Sequence, residues 1–208
     1  AIEQFNLSNY DLVISDSASF AKGVITRPQT FHLCYCHTPT RYVWDDSHRY
    51  IEEFGYPSFL KKFIPPFLSY LRLWDEAAAA RPDEYLANSN FVASRIKKYY
   101  GFEAEVVYPP VKTKFFENQE KSADYFLIVA RLLSYKKIDL AIRVFNELGW
   151  PLKIIGEGPE KKRLQKMARS NIEFIGWVDD QKLRKYYTYC RAFIFPQEED
   201  FGITAVEA

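Results

Sequence analysis

The sequence predicts an α/β protein built from two parallel-sheet domains. Short apolar runs with strand character alternate with longer runs of helical spacing, which is the pattern of repeated βαβ units. The alternation stops at Pro109 and Pro110 and resumes at residue 124, and the residues between are polar, charged and without sustained periodicity. We therefore expect a first domain in residues 1–110, a linker in 111–123 and a second domain in 124–208.

The composition is that of a globular protein that buries a core. Hydrophobic residues make up 48% of the chain and charged residues 26%, and the net charge of +1 gives no electrostatic argument for nucleic-acid binding. No apolar run reaches about 18 residues, and no signal peptide is present. Cys34, Cys36 and Cys190 are too few and too poorly spaced for a disulfide framework or a zinc site. We therefore expect reduced thiols, no metal and a cytoplasmic protein.

The elements of the first domain follow from bounded apolar runs. Strands are expected at 10–16, 31–36, 84–88 and 105–108. A helix is expected over 58–80, interrupted at Pro65 and Pro66, because its apolar residues recur every three or four positions. A second helix is expected over 91–100, with Ser89 as N-cap and Gly101 as C-cap.

The second domain repeats the alternation with tighter spacing. Strands are expected at 124–130, 152–155, 172–175 and 192–195, the last of them buried and stopped by Pro196. Helices are expected at 138–148, 160–169 and 179–189, the last capped by Asp179, and a further helix follows Gly202.

Two cations follow the strand at 124–130, so they lie at its carboxyl end. Arg131 and Lys136 occupy one strand–helix loop, with Lys137 beside them. Arginine as a planar fork and lysine as a point charge together suit a diphosphate. The alternative is a solvated basic loop that precedes a helix.

Two carboxylates frame the last helical stretch. Glu199 and Glu207 lie eight positions apart, so both can face one cleft from the start of a helix. Carboxylate oxygens accept hydrogen bonds from vicinal hydroxyls, whereas backbone amides after Phe201 and Gly202 suit an anion. The alternative is that the acidic residues at 198–200 only complement the helix dipole.

Three other residues follow strands and are candidates for ligand contact. Gly156 and Gly158, in a Gly-Glu-Gly-Pro turn, allow a ligand to approach the backbone, although a plain turn is the favoured explanation when the motif is taken alone. His37 ends the strand at 31–36 and can hydrogen-bond a sugar hydroxyl or polarise a reacting group, or it is structural.

The segment 58–74 mixes cations with large apolar residues. Lys61, Lys62 and Arg72 could contact anionic lipid from an interfacial helix. Alternatively, the helix packs on the first domain and the aliphatic parts of these side chains lie along its surface. Peripheral contact with the inner face of a membrane is therefore one of two open interpretations.

Taken together, these motifs resemble a known family. The order Arg-x4-Lys, Gly-x-Gly-Pro and Glu-x7-Glu with an internal Phe-Gly is similar to the second domain of retaining glycosyltransferases of the GT-B fold, in particular family 4, the group 1 transferases. The first half is similar to the bacterial and archaeal branch that contains mannosyltransferases of polysaccharide assembly. The residues that carry this similarity are Cys36-His-Thr-Pro-Thr-Arg-Tyr42, Trp44-Asp45, Arg72-Leu-Trp-Asp75, Ala87-Asn-Ser89 and Val107-Tyr-Pro-Pro-Val111.

The resemblance implies a role for each matching residue. Arg131 and Lys136 would hold the donor pyrophosphate, Glu199 the hydroxyls of the donor sugar, and Glu207 the ribose. Backbone amides at Phe201 and Gly202 would meet sugar or phosphate, Gly156 and Gly158 would line the donor site, Trp177 and Val178 would lie near the base, and His37 would reach the sugar from the other domain. No metal and no other cofactor is implied, because cations and amides stabilise the leaving diphosphate.

The resemblance also implies an activity. A GT-B enzyme of two Rossmann-like domains would transfer a sugar, in the first instance mannose from GDP-mannose, to a saccharide or lipid-linked acceptor with retention. The alternatives are a nucleotide-sugar epimerase, a sugar phosphorylase or a non-catalytic nucleotide-sugar-binding subunit. The family's first domain opens with a strand and a glycine-rich loop, and its second continues beyond the Glu-x7-Glu helix. Both parts are missing here, so we expect two incomplete domains from a longer enzyme.

Overall fold

The computed structural model describes residues 2–45, 47, 63–112 and 123–208, and within them the chain forms two compact units, Ala1–Pro109 and Pro110–Ala208. Each unit is organised around a four-stranded parallel sheet. The predicted class, α/β with two parallel sheets, is confirmed. Most of the expected linker and the first part of the helix expected over 58–80, including Lys61 and Lys62, lie outside the described residues.

The first sheet follows the order of the chain, β1-β2-β3-β4. Its strands are β1 (Leu12–Ser17), β2 (Phe31–Cys36), β3 (Glu84–Ala87) and β4 (Glu105–Val106). The helices are α1 (Arg41–Trp44), α2 (Ile64–Ala79) and α3 (Asn90–Tyr100), and 3-10 turns span Ile2–Gln4 and Ala21–Gly23. The core lies between the strands and α3 and includes Cys34, Cys36, Ala87, Val92 and Ile96.

Local signals determine where these helices begin and end. Ser89 accepts a hydrogen bond from the backbone N–H of Val92 at 3.1 Å, and Gly101 adopts the left-handed conformation with φ 77°, so both predicted caps of α3 are confirmed. Pro65 and Pro66, expected to interrupt a helix, occupy the first turn of α2 instead. A proline is tolerated there because the first N–H groups of a helix have no intrahelical partner.

The second sheet has the strand order β7-β6-β5-β8, so its last strand lies on the opposite side of β5 from β6 and β7. Its strands are β5 (Phe126–Val129), β6 (Leu152–Ile155), β7 (Ile172–Gly176) and β8 (Ala192–Phe193). The helices are α4 (Ile138–Leu148), α5 (Lys161–Met167), α6 (Asp180–Tyr189) and α7 (Ile203–Glu207), and a 3-10 turn spans Ser134–Lys136. Both faces of this sheet are covered: one cluster includes Ile128, Ile142 and Ile154, and another joins Leu127, Ile155 and Tyr187.

The expectation of a buried strand at 192–195 is wrong. Only Ala192 and Phe193 pair with β5, and the residues from 192 to 195 are half-buried or exposed. Within the described residues β8 is the edge of the sheet, so one side of it has no neighbouring strand to bury it.

The strand order of the second sheet creates a switch point between β5 and β8. Strands β5, β6 and β7 follow one another outward in one direction, and β8 then pairs with the other side of β5. Connections that leave neighbouring strands in opposite directions open a crevice at their carboxyl ends, where open α/β sheets bind ligands.

Candidate functional site

The carboxyl edge of the second sheet gathers the loops that follow its four strands. These loops cover 130–137 after β5, 156–160 after β6, 177–179 after β7 and 194–202 after β8. Because all four strands are parallel, the polar residues predicted for ligand contact in this unit lie in these loops or, for Glu207, in the helix after the last of them.

Lys136 and Glu199 form an ion pair across the switch point. The ammonium of Lys136 contacts Oε1 of Glu199, and the Gln197 side-chain amide donates to the same oxygen at 3.5 Å. The two side chains are 13% and 19% exposed, so the pair is partly shielded from water. The Lys136 ammonium also lies 4.8 Å from the centroid of the Tyr135 ring. The cation predicted for phosphate and the carboxylate predicted for hydroxyls therefore neutralise each other here.

The residue after Lys136 has an unusual left-handed backbone conformation. Lys137 has φ 50°, and in the part of the chain that the structure describes no other non-glycine residue has positive φ. A lysine disfavours this left-handed conformation, so the surrounding fold has to hold it. Lys137 connects the 3-10 turn to α4, and the buried Ile138 anchors the first residue of that helix. Arg131, at the other end of the loop, is exposed.

Gly156 and Gly158 are required by packing between two loops. A Cβ atom on Gly156 would lie 2.0 Å from the carbonyl oxygen of Ala130, and one on Gly158 would lie 2.3 Å from that of Leu132. Hydrogen bonds tie the same loops together, from the Leu132 N–H to the Glu157 carbonyl at 2.9 Å and from the Glu160 N–H to the Leu132 carbonyl at 3.1 Å. These contacts explain both glycines without a ligand, and their place in a donor site stays a prediction.

The two glutamates flank the turn at the start of α7. Glu199 lies in the loop that precedes this helix, and Glu207 is its fifth residue. Gly202 permits the turn between them with φ 81°, and a Cβ there would lie 3.1 Å from the Phe195 ring.

Glu207 has a partner that the sequence did not indicate. The Tyr187 hydroxyl lies 3.2 Å from Oε2 of Glu207 and 3.3 Å from the carbonyl oxygen of Thr204. Burial raises the pKa of the Glu207 carboxyl above its ordinary value, and the bond from Tyr187 opposes this increase. Burial likewise raises the pKa of Tyr187, so its hydroxyl remains a donor.

Trp177 and Val178 differ in exposure although they are adjacent. The Trp177 side chain is 78% exposed, whereas Val178 packs against the cluster of Leu127, Ile155 and Tyr187. An exposed indole beside an anchored residue offers a flat apolar surface at the carboxyl edge of the sheet.

In the first unit, His37 lies at the carboxyl end of β2. Its Nε2 pairs with a carboxylate oxygen of Asp16, at the end of β1, and its ring meets the Tyr35 ring edge-on at 5.2 Å between centroids. Asp16 is not among the predicted site residues, because nothing in the local sequence marks a pairing across two strands.

The segment considered for membrane contact uses its arginine internally. The Arg72 guanidinium donates to the Val43 carbonyl at 2.8 Å and to the Ser47 hydroxyl at 3.1 Å. None of the helices in the described ranges is long and apolar enough to cross a membrane. Among the same residues, no group of three or more His, Cys, Asp or Glu side chains is arranged to hold a metal ion.

The second unit matches a known family. Residues 111–208 match the family described as Glycosyl transferases group 1. The chain is 27% identical over 161 residues to the D-rhamnosyltransferase WbpZ of Pseudomonas aeruginosa, covering 71% of this chain and 42% of that protein. It is also 27% identical over 150 residues to the O-antigen chain mannosyltransferase C of Escherichia coli, covering 64% of this chain and 40% of that protein.

Solved structures extend the likeness to most of the chain. TarM gives a TM-score of 0.65 at 17% identity, covering 94% of this chain and 38% of that one. Sucrose-phosphate synthase from Thermosynechococcus elongatus gives a TM-score of 0.61 at 15% identity, covering 85% of this chain and 47% of that one. These structural neighbours are GT-B glycosyltransferases, and at such low identity the likeness concerns the fold.

The comparisons therefore show that residues 111–208 are similar to group 1 glycosyl transferases. The chain spans about two fifths of the length of the two curated relatives, 42% and 40% respectively. Membership of family 4 in particular stays a prediction.

Proposed function

We propose that the intact protein is a retaining glycosyltransferase that moves a sugar from a nucleotide sugar to a saccharide or lipid-linked acceptor. The observation that carries the proposal is the Lys136–Glu199 pair at the switch point of a domain that matches the group 1 family. A cation and a carboxylate held side by side offer one group for phosphate and one for hydroxyls.

A bound donor would replace the ion pair between Lys136 and Glu199. The diphosphate would bind the Lys136 ammonium and the Arg131 guanidinium, because both are cations on the loop after β5. Glu199 repels phosphate, so it would accept hydrogen bonds from sugar hydroxyls instead. Donor binding thus exchanges one set of charge-assisted contacts for another, and no unpaired charge is left in a partly shielded site.

The other predicted residues would complete the donor site. Glu207, held by Tyr187, would accept from the ribose hydroxyls. Trp177 and Val178 would provide apolar surface beside the base. We propose donor contacts also for the remaining predicted residues, which are Gly156, Gly158, His37 and the backbone amides at Phe201 and Gly202.

The transfer would be driven by electrostatic stabilisation. The bond between the anomeric carbon and the diphosphate oxygen breaks, the acceptor oxygen bonds to that carbon on the same face, and the acceptor proton passes to the departing phosphate. Arg131 and Lys136 would stabilise the negative charge that develops on the leaving group. We propose that no divalent ion is needed for this step, which activity measured in excess chelator would test.

The names of two relatives favour a manno-configured donor. One is a mannosyltransferase and the other a D-rhamnosyltransferase, and D-rhamnose is the 6-deoxy form of D-mannose. We therefore propose GDP-mannose, or its 6-deoxy counterpart, as the donor. A lipid-linked acceptor would bring the protein to a membrane surface, which flotation with acceptor-containing vesicles would detect.

A panel of nucleotide sugars tests the function directly. The intact protein is titrated with GDP-, UDP- and ADP-sugars by calorimetry and then supplied with saccharide or lipid-linked acceptors, and the anomeric configuration of the product is read by NMR. We expect guanine nucleotide binding and a retained configuration. Conversion of the nucleotide sugar in the absence of acceptor would indicate an epimerase. A requirement for inorganic phosphate would indicate a phosphorylase, and binding without turnover would indicate a non-catalytic subunit. Each of these outcomes contradicts the proposal.

A further inference from the structure

The carboxyl edge of the first sheet holds an aspartate–histidine pair, Asp16 and His37. We propose that Asp16 is a positioning residue that fixes the tautomer and orientation of the His37 imidazole, so that the ring accepts a hydrogen bond from a sugar hydroxyl. The inference rests on the proposed function, because it deepens the role suggested there for His37.

The backbone of His37 is fastened to its neighbours on both sides. Its N–H donates to the Ser17 carbonyl at 2.8 Å, at the end of β1. Its carbonyl accepts from the Asn88 side-chain amide at 3.0 Å, directly after β3. His37 lies just beyond the last residue of β2. Its backbone is therefore held by hydrogen bonds to residues at the ends of β1 and β3.

Two contacts then hold the ring itself. Tyr35 meets the imidazole edge-on, with an angle of 82° between the rings, and the Tyr35 hydroxyl donates to the Val107 carbonyl at 2.9 Å. Asp16 on β1 lies directly opposite Tyr35 on β2. This register brings the Asp16 carboxylate to Nε2 of His37. The His37 side chain is still 42% exposed, so a ligand can reach it.

The partner determines what the ring can offer. An ionised carboxylate only accepts hydrogen bonds, so Nε2 has to carry a proton. In the neutral imidazole the second nitrogen, Nδ1, is then an acceptor. A sugar hydroxyl can donate to Nδ1, whereas a diphosphate, which has only acceptor oxygens at neutral pH, cannot bind it. The Asp16–His37 pair therefore selects a hydroxyl of the donor or acceptor sugar over the diphosphate.

Asp16→Asn tests the inference with little change in shape. The amide still fits beside the ring, but it carries no charge and can donate as well as accept, so it no longer selects one tautomer. In the intact protein we expect Asp16→Asn to lower kcat/KM about tenfold, the lower end of the loss found when the carboxylate partner of a metal-binding histidine is removed. Asp11→Asn, an exposed aspartate just before the other end of β1, is the matched control and should leave kcat/KM unchanged.

A spectroscopic measurement separates positioning from folding. Protein labelled with [15N]histidine is compared by NMR for wild type, Asp16→Asn and Asp11→Asn, and the His37 signals are identified by their loss in His37→Gln. We expect the neutral wild-type ring to show a protonated Nε2 and an unprotonated Nδ1. The two 15N shifts should move toward each other in Asp16→Asn and stay unchanged in Asp11→Asn. Asp16→Glu, which restores a carboxylate, should recover part of the wild-type pattern.

The outcomes distinguish this inference from the proposed function. Unchanged His37 shifts in Asp16→Asn overturn the pairing, and altered shifts with full transfer activity overturn the positioning role. If wild-type protein forms no transfer product with any donor, the proposed function fails, and the positioning role in transfer fails with it. The shifts then show only whether the pair itself exists. Lost tautomer selection together with the fall in kcat/KM, both absent from Asp11→Asn, supports the inference.

Discussion

Each unit of the protein contains a shielded lysine–carboxylate pair, and the two pairs differ in what surrounds them. Lys22 and Asp75 in the first unit are each 1% exposed, whereas Lys136 and Glu199 in the second are 13% and 19% exposed. The first pair joins a turn after β1 to α2, and the second joins two loops at a switch point. We therefore predict that the first pair is a permanent contact, whereas the second is exchanged when a donor binds.

The environment of Asp75 explains its permanence. Oδ1 accepts from the Lys22 ammonium at 2.5 Å and the Thr40 hydroxyl at 2.8 Å, and Oδ2 accepts from the Trp44 indole at 2.8 Å and the Tyr100 hydroxyl at 2.7 Å. Four donors on one carboxylate compensate for its removal from water. Burial and the Asp75 charge raise the pKa of Tyr100, so its hydroxyl stays protonated.

Breaking the permanent pair should have the largest effect. Lys22→Met leaves the Asp75 charge buried without its cation, which typically costs about 3–5 kcal/mol of folding free energy. Denaturant unfolding of the intact protein should show a much earlier transition for the first unit. Lys97→Met, in a pair whose side chains are 65% and 80% exposed, is the control and should leave the midpoint unchanged. Equal unfolding midpoints for Lys22→Met and Lys97→Met would contradict the prediction that the buried pair stabilises the first unit more than the exposed pair does.

Breaking the exchangeable pair should affect turnover more than folding. Lys136→Ala removes the proposed phosphate cation, and we expect transfer to fall about a hundredfold to a thousandfold, the usual loss for a charge-stabilising group. Calorimetry should show weaker GDP binding, and the unfolding midpoint should fall less than in Lys22→Met because this pair is less buried. Lys162→Ala, at an exposed lysine on α5, is the charge-matched control. Near-normal transfer by Lys136→Ala would refute the phosphate role.

Removing the other partner of that pair should change binding and turnover in opposite directions. Glu199→Gln releases Lys136 and removes a negative charge near the diphosphate, so we expect GDP to bind roughly threefold more tightly. Transfer should nevertheless decrease, because an amide accepts sugar hydroxyls less strongly than a carboxylate. If GDP binding weakens in Glu199→Gln, the carboxylate does not compete for Lys136 and the exchange is wrong.

The smallest predicted effect concerns how nucleotide affinity decreases at acidic pH. The pKa of Glu207 is raised mainly by burial, so its carboxylate gains a proton at a higher pH than an ordinary glutamate, and nucleotide affinity should fall as pH decreases through that value. Tyr187→Phe removes a bond that lowers this pKa, so the loss of affinity should begin at higher pH. Tyr189→Phe, on the exposed part of α6, should not change the profile. Calorimetric titrations across pH measure the nucleotide affinity of the wild type, Tyr187→Phe and Tyr189→Phe.

Much of the fold was predictable because its signals are local. The strands at 31–36 and 152–155 and the helix at 138–148 have the predicted bounds, and the Ser89 and Asp179 caps form the predicted hydrogen bonds. Apolar runs, caps and glycines act within one element, so a single sequence reveals them. The short β8 was not predictable in the same way, because its burial depends on which strands lie beside it.

Contacts between distant residues were not predictable. Alternating strands and helices imply a parallel sheet, so the loop positions of Arg131, Lys136 and Glu199 followed from the pattern. The Lys136–Glu199 pairing did not, because the two side chains were assigned to different parts of a ligand. The Asp16–His37 and Tyr187–Glu207 contacts also join residues from different elements, and no periodicity reports which side chains meet across a fold.

The interlocked loops after β5 and β6 set a rule for protein engineering. Since the carbonyl oxygens of Ala130 and Leu132 occupy the space that a Cβ on Gly156 or Gly158 would need, both positions have to stay glycine unless the backbone of 130–132 also changes. A chimera that takes residues 130–133 from a relative should take 156–160 from the same relative. Libraries that vary Gly156 or Gly158 against a fixed 130–133 loop would place a Cβ atom on a backbone carbonyl, whereas paired exchange avoids that clash.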